Sequence, residues 1–74
     1  NLIMNIETPS GIGLYRMIEL AINKAKLTGG EVTFTHNDIF IRVRGNSSSL
    51  DISTIYGLKC EIRRFDRNNG YLKI

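Results

Sequence analysis

The segment that most constrains the fold is EVTFTHNDIFIRVR, residues 31–44, in which apolar and polar side chains alternate on both sides of Asn37-Asp38. Asparagine and aspartate tolerate the left-handed backbone that a two-residue hairpin turn requires. A turn at this dipeptide pairs His36 with Ile39, and the sequence therefore predicts an antiparallel hairpin with one buried face. The apolar side chains that this register brings to one face are Val32, Phe34, Ile39, Ile41 and Val43.

The other face of the hairpin is predicted to be polar. The same register places three pairs there: Thr35 with Phe40, Thr33 with Arg42, and Glu31 with Arg44. Opposite charges directly across a ladder stabilise it, so the Glu31–Arg44 pair supports this register. Shifting the strands by one residue would mix apolar and charged side chains on each face.

The segment before the hairpin predicts a short strand and a helix. Residues 2–6, LIMNI, alternate as a strand does, and Pro9 then interrupts the run. Residues 12–28 have helical periodicity, with Ser10 or Thr8 as the expected N-cap and Gly29-Gly30 at the C-terminal end. The apolar stripe expected to pack on the sheet comprises Leu14, Met17, Ile18, Ala21, Ile22 and Ala25.

The remainder of the chain predicts further strands. Leu50 and Ile52 indicate a short third or edge strand, and residues 58–65, LKCEIRRF, alternate again. After a turn at 68–70, residues 71–74 would complete a second hairpin, with a bulge near Arg63-Arg64. The expected fold is a single α+β domain over residues 1–74, with two layers. One α-helix packs on a mainly antiparallel sheet of four to five strands, in the order β-α-β-β-β-β.

The composition narrows the classes of function. A single cysteine excludes an internal disulfide framework, so we expect a cytoplasmic protein. No apolar run approaches the roughly 20 residues of a membrane span, and no signal peptide is evident. With one histidine and one cysteine, the chain has no clustered zinc motif, and we expect neither a metal nor a cofactor. The net charge of +3 is compatible with an anionic partner.

The first functional hypothesis is a small non-enzymatic module that binds nucleic acid through the outer face of the sheet. Cationic side chains neutralise phosphates, and exposed aromatic rings stack on the bases of single strands. The alternative is an ordinary solvated sheet face, whose positive potential Glu31 and Glu61 would reduce. The residues predicted to form the nucleic-acid-binding face are Phe40, Arg42, Arg44, Lys59, Arg63, Phe65, Arg67, Tyr71 and Lys73.

The second hypothesis is a protein-interaction module, such as a small inhibitor or adaptor, that acts as a homodimer or on another protein. Leu20 and Leu27 lie nearly opposite the core stripe of the helix, flanked by Lys24 and Arg16. An edge strand is another candidate contact. Exposed leucines are also ordinary on protein surfaces. In size and in its content of Asn, Ile and Lys, the chain resembles accessory proteins of phages and mobile elements, but no motif supports this and it assigns no site residue.

The sequence predicts no catalytic site. The SGIG segment before the helix lacks the further glycine or the GK[ST] of a phosphate-binding loop, so a tight turn explains it. Cys60 and His36 are both expected on the buried face, Cys60 as a small core side chain and His36 at the rim. No third residue completes a catalytic set with them.

Overall fold

The computed structural model describes residues 2–69, and for residues 68 and 69 the backbone alone. These residues form an α+β fold with two helices and a three-stranded mixed sheet in the order β1-β2-β3. The elements in chain order are β1 (Ile3–Asn5), α1 (Leu14–Thr28), β2 (Glu31–His36), β3 (Ile39–Arg44) and α2 (Ser49–Asn69).

The central hairpin is confirmed in every predicted pair. β2 and β3 are antiparallel, and the register includes Glu31 opposite Arg44 and Phe34 opposite Ile41. Asn37 and Asp38 both have positive φ, 49° and 66°, as the two-residue turn requires. The apolar face of the hairpin is buried, and its side chains form the sheet side of the hydrophobic core.

The first strand corrects the expectation of a mainly antiparallel sheet. β1 pairs with β2 in parallel, with Met4 opposite Val32. The reason is the connection: α1 carries the chain back across the sheet, so β2 starts at the same end as β1. The Glu31 amide donates to the Leu2 carbonyl at 2.8 Å, and a Cβ at Gly30 would collide with this carbonyl. Only glycine therefore permits the close approach of β1.

Helix α1 packs as its apolar stripe predicts, but its N-terminus differs. Gly13 is the N-cap, and no side chain caps the helix, so the expectation for Ser10 or Thr8 is wrong. The Thr8 hydroxyl instead donates to the Thr35 carbonyl. The C-terminus ends as expected at Gly29, which has φ 74° and donates its amide to the Ala25 carbonyl. The buried stripe consists of Met17, Ile18, Ala21, Ile22 and Ala25, with Leu14 partly buried.

The largest correction concerns the segment after the central hairpin. The predicted third strand and the first strand of the second hairpin are wrong, because residues 49–69 form helix α2. The expected final strand, 71–74, lies outside the described residues. Ser48 begins the helix: its carbonyl accepts from the Ile52 amide at 3.0 Å, and its hydroxyl accepts from the Asp51 amide. Asp51 also places a negative charge in the first turn.

Both helices lie on the apolar side of the sheet. α2 contacts α1 and β3, and its Ile52 is buried in the same core as the α1 stripe. Tyr56 and Cys60, one and two turns further along, pack partly buried against this core. The opposite side of the sheet, which carries the exposed side chains of β3, is the outer sheet face.

We predict that Gly57→Ala stabilises the protein. Gly57 lies inside α2, and a Cβ there would meet no atom within 4 Å. Alanine restricts the unfolded chain, so the free energy of unfolding should rise by about 0.5–1 kcal/mol in a denaturant titration. Gly30→Ala is the matched control, and it should lower stability because of the clash with Leu2. A loss of stability in Gly57→Ala would contradict a helix at this position.

Candidate interaction surfaces

The outer sheet face contains three of the residues predicted to bind nucleic acid. Phe40 is 52% exposed there. Arg42 and Arg44 also point outward, but both guanidinium groups bind the carboxylate of Glu31, at 3.1 and 3.0 Å. One carboxylate therefore offsets part of the charge of two arginines, and this reduces the positive potential of the face.

The remaining predicted members of that face do not lie on the sheet. Because residues 49–69 are helical, Lys59, Arg63, Phe65 and Arg67 belong to α2. Tyr71 and Lys73 lie outside the described residues. The predicted single surface of cations and rings is thus divided between two elements, and strand alternation is the assumption that failed.

Two cations of α2 bind the edge of the sheet. The Lys59 ammonium donates to the carbonyl of Phe40 at 2.8 Å. The Arg63 guanidinium donates to the carbonyl of Asp38 at 3.3 Å and forms an ion pair with its carboxylate at 3.4 Å. These contacts attach the middle of α2 to β3 and to the hairpin turn, and they satisfy backbone carbonyls there.

A polar cluster at the turn holds the first half of α2. The Nδ1 atom of His36 lies 3.1 Å from the Tyr56 hydroxyl, and its Nε2 atom lies 3.2 Å from the Ile12 carbonyl. Since a carbonyl only accepts, Nε2 carries a proton and donates to Ile12. The rings of His36 and Tyr56 also meet edge to face, with centroids 5.7 Å apart. His36 is therefore a hydrogen-bonded residue at the core rim, as the sequence indicated.

The surface feature that sequence reasoning missed is a row of apolar side chains on α2. Ile55, Leu58, Ile62 and Phe65 are spaced alternately by three and four residues, and we call them the α2 stripe. They are 44%, 60%, 61% and 50% exposed, respectively. At 100° per residue they lie on a different side of the helix from Ile52, which faces the core. The spacing itself, typical of a helix–helix seam, is the signal that could have found the stripe.

Charged residues flank the α2 stripe. In a heptad register with Ile55 and Ile62 at position a, Lys59 and Asp66 occupy position e on one side. Glu61 occupies position g on the other side, and it forms an ion pair with Arg64 at 3.0 Å. Lys59 has no carboxylate within ion-pair distance among residues 2–69.

The leucines predicted as a partner contact lie on α1. Leu27 is 84% exposed and Leu20 is 43% exposed, with Arg16 and Lys24 exposed on the same helix. Two leucines two turns apart form a smaller apolar surface than the α2 stripe. Their role in binding remains a prediction.

Comparisons with models of protein families, with curated proteins and with solved structures found no match for this chain. No helix within residues 2–69 has the length and apolar character needed to cross a membrane. Over the same residues, no group of three or more His, Cys, Asp or Glu side chains is placed to hold a metal ion.

We predict that Tyr56→Phe weakens the docking of α2. The substitution keeps the ring but removes the hydroxyl that contacts His36 and Asn37. Loss of one part-buried hydrogen-bonding group should lower the free energy of unfolding by about 1 kcal/mol, measured by denaturant titration. Tyr15→Phe is the control, since Tyr15 is exposed on α1 and should tolerate the change. Equal effects of the two substitutions would contradict this role.

Proposed function

We propose that this chain is a non-enzymatic protein-interaction module and that its binding surface is the α2 stripe. The observation that supports the proposal is a row of four large apolar side chains, each at least 44% exposed, on one side of a helix. The opposite side of the same helix is already packed on the core. An apolar row of this kind marks a surface on which another helix packs.

The energetics favour a partner on the α2 stripe. Burying an exposed leucine or isoleucine side chain completely contributes roughly 1.5–3 kcal/mol. The α2 side chains are about half exposed, so we expect on the order of 1 kcal/mol from each when a partner covers it. Four such contributions amount to several kcal/mol, the scale at which they begin to offset the cost of association.

The charges favour a protein partner over a nucleic acid. Arg42 and Arg44 share Glu31, and Arg63 is paired with Asp38. These cations would have to leave carboxylate partners to neutralise phosphates. The rings expected to stack on bases, Phe40 and Phe65, lie on different elements. We therefore favour a protein partner, and the experiment described next also tests for binding of nucleic acid.

We predict that Leu58→Glu combined with Ile62→Glu abolishes binding of the partner. Two carboxylates in an apolar contact should raise its dissociation constant more than about tenfold. Wild-type protein would be used to retain a partner from the cells that produce it. The dissociation constant of the purified pair would then be measured for each variant. Leu20→Glu with Leu27→Glu is the matched control on α1, and it should bind as the wild type does.

Three results would contradict the proposal. One is a partner whose affinity is unchanged by the substitutions in the α2 stripe. Another is a partner lost equally in the α1 variant, which would favour the surface at Leu20 and Leu27. The third is single-stranded oligonucleotide binding that is lost in Arg42→Ala with Arg44→Ala but kept in the stripe variant. Matching circular dichroism and unfolding curves would show that each variant is folded.

A further inference from the structure

Building on the proposed function, we propose that the partner on the α2 stripe is a second copy of this chain. The two α2 helices would pack antiparallel about a two-fold axis. A two-fold contact requires a surface that is complementary to itself. The side chains of the α2 stripe are complementary in shape to a second copy of the stripe. The charges beside the stripe are complementary when the two helices are antiparallel, but not when they are parallel.

The shape argument follows from the antiparallel register. In this arrangement a position a of one helix packs against a position d of the other. Leu58 then lies opposite Ile62 of the second copy, and Ile55 lies opposite its Phe65. Each of these two pairs therefore combines one β-branched side chain with one that is unbranched at Cβ. The two-fold symmetry generates each pair twice in the interface.

The flanking charges select the orientation. In a parallel pair, Glu61 at position g would face Asp66 of the second copy at position e, and the like charges would repel each other twice. In the antiparallel pair, Lys59 faces Asp66 of the second copy, again twice. These two attractions outnumber the one like-charge approach of the two Glu61 side chains at the two-fold axis, and each Glu61 is already paired with Arg64. The Lys59 ammonium binds only the neutral carbonyl of Phe40 among the described residues, so its charge is available for this contact.

The length of the stripe and the shape of the molecule are also relevant to a contact between two α2 helices. The stripe begins at Ile55, after the buried Ile52, and extends to Phe65, a rise of about 15 Å at 1.5 Å per residue. The radius of gyration is 13.7 Å, larger than the roughly 11 Å expected for a compact domain of this length. The molecule is elongated, 44 Å along its longest axis.

Disulfide trapping tests the arrangement directly. In a Cys60→Ala background, an oxidised mixture of Ile55→Cys and Phe65→Cys proteins should form the mixed disulfide. Neither protein alone should form a disulfide efficiently, because two copies of position 55 would be about 15 Å apart. A disulfide between two Ile55→Cys chains would indicate parallel helices and overturn the proposal. Surface cysteines at Leu20 in the same background control for random collision.

Charge exchange tests the ion pairs by sedimentation at low ionic strength. Lys59→Asp alone and Asp66→Lys alone should each weaken the dimer by about tenfold, since each places like charges together. The double variant should recover most of the affinity of the wild type. Weakening without recovery would contradict the proposed pairing.

The failure of this inference can be distinguished from failure of the proposed function. A protein that remains monomeric at every concentration, yet loses another protein partner on Leu58→Glu with Ile62→Glu, would overturn the second copy and leave the function intact. A monomer for which the same substitutions change no binding at all would overturn both.

Discussion

The structure depends on the packing of one apolar hairpin face beneath two helices. β2 and β3 supply Phe34 and Ile41 at the centre of that face, and both side chains are almost fully buried. α1 covers it with a continuous stripe, whereas α2 contributes mainly Ile52 to the core. Three strands offer little further apolar surface on this side. The α2 stripe is therefore not part of this core, and each of its four side chains is at least 44% exposed.

The contacts that attach α2 to the rest of the fold come mainly from residues outside its apolar stripe. The fold of a single copy therefore does not depend on burying the stripe. Beyond Ile52 the helix is held largely by polar contacts: Tyr56 to His36, Lys59 to the Phe40 carbonyl, and Arg63 to Asp38. These bonds fix the helix while leaving its stripe outward. A domain of this size has a small core and gains from additional burial on association. A partner that covered the stripe would remove this apolar surface from water.

The sequence predicted the elements in which one periodicity extends over many residues. The central hairpin follows from alternation across twelve strand residues and a turn that admits positive φ, and α1 follows from its helical stripe. The alternation of Leu58, Cys60 and Ile62 was too short to identify a strand. Leu58 and Ile62 are also four apart, so they share a helix face, with Cys60 on the other. Which face of such a helix meets the core is decided by tertiary packing, and local pattern could not predict it.

The two edges of the sheet differ, and this difference favours a helical contact over strand addition. Lys59 and Arg63 reach across from α2 to carbonyls along β3 and its turn, so this edge is partly blocked to another strand. The opposite edge is β1, which has three residues and therefore offers few free backbone groups. By comparison, α2 presents a row of apolar side chains about 15 Å long. The cation that protects the sheet edge, Lys59, also flanks the α2 stripe, so the same residue discourages strand pairing and guides the pairing of helices.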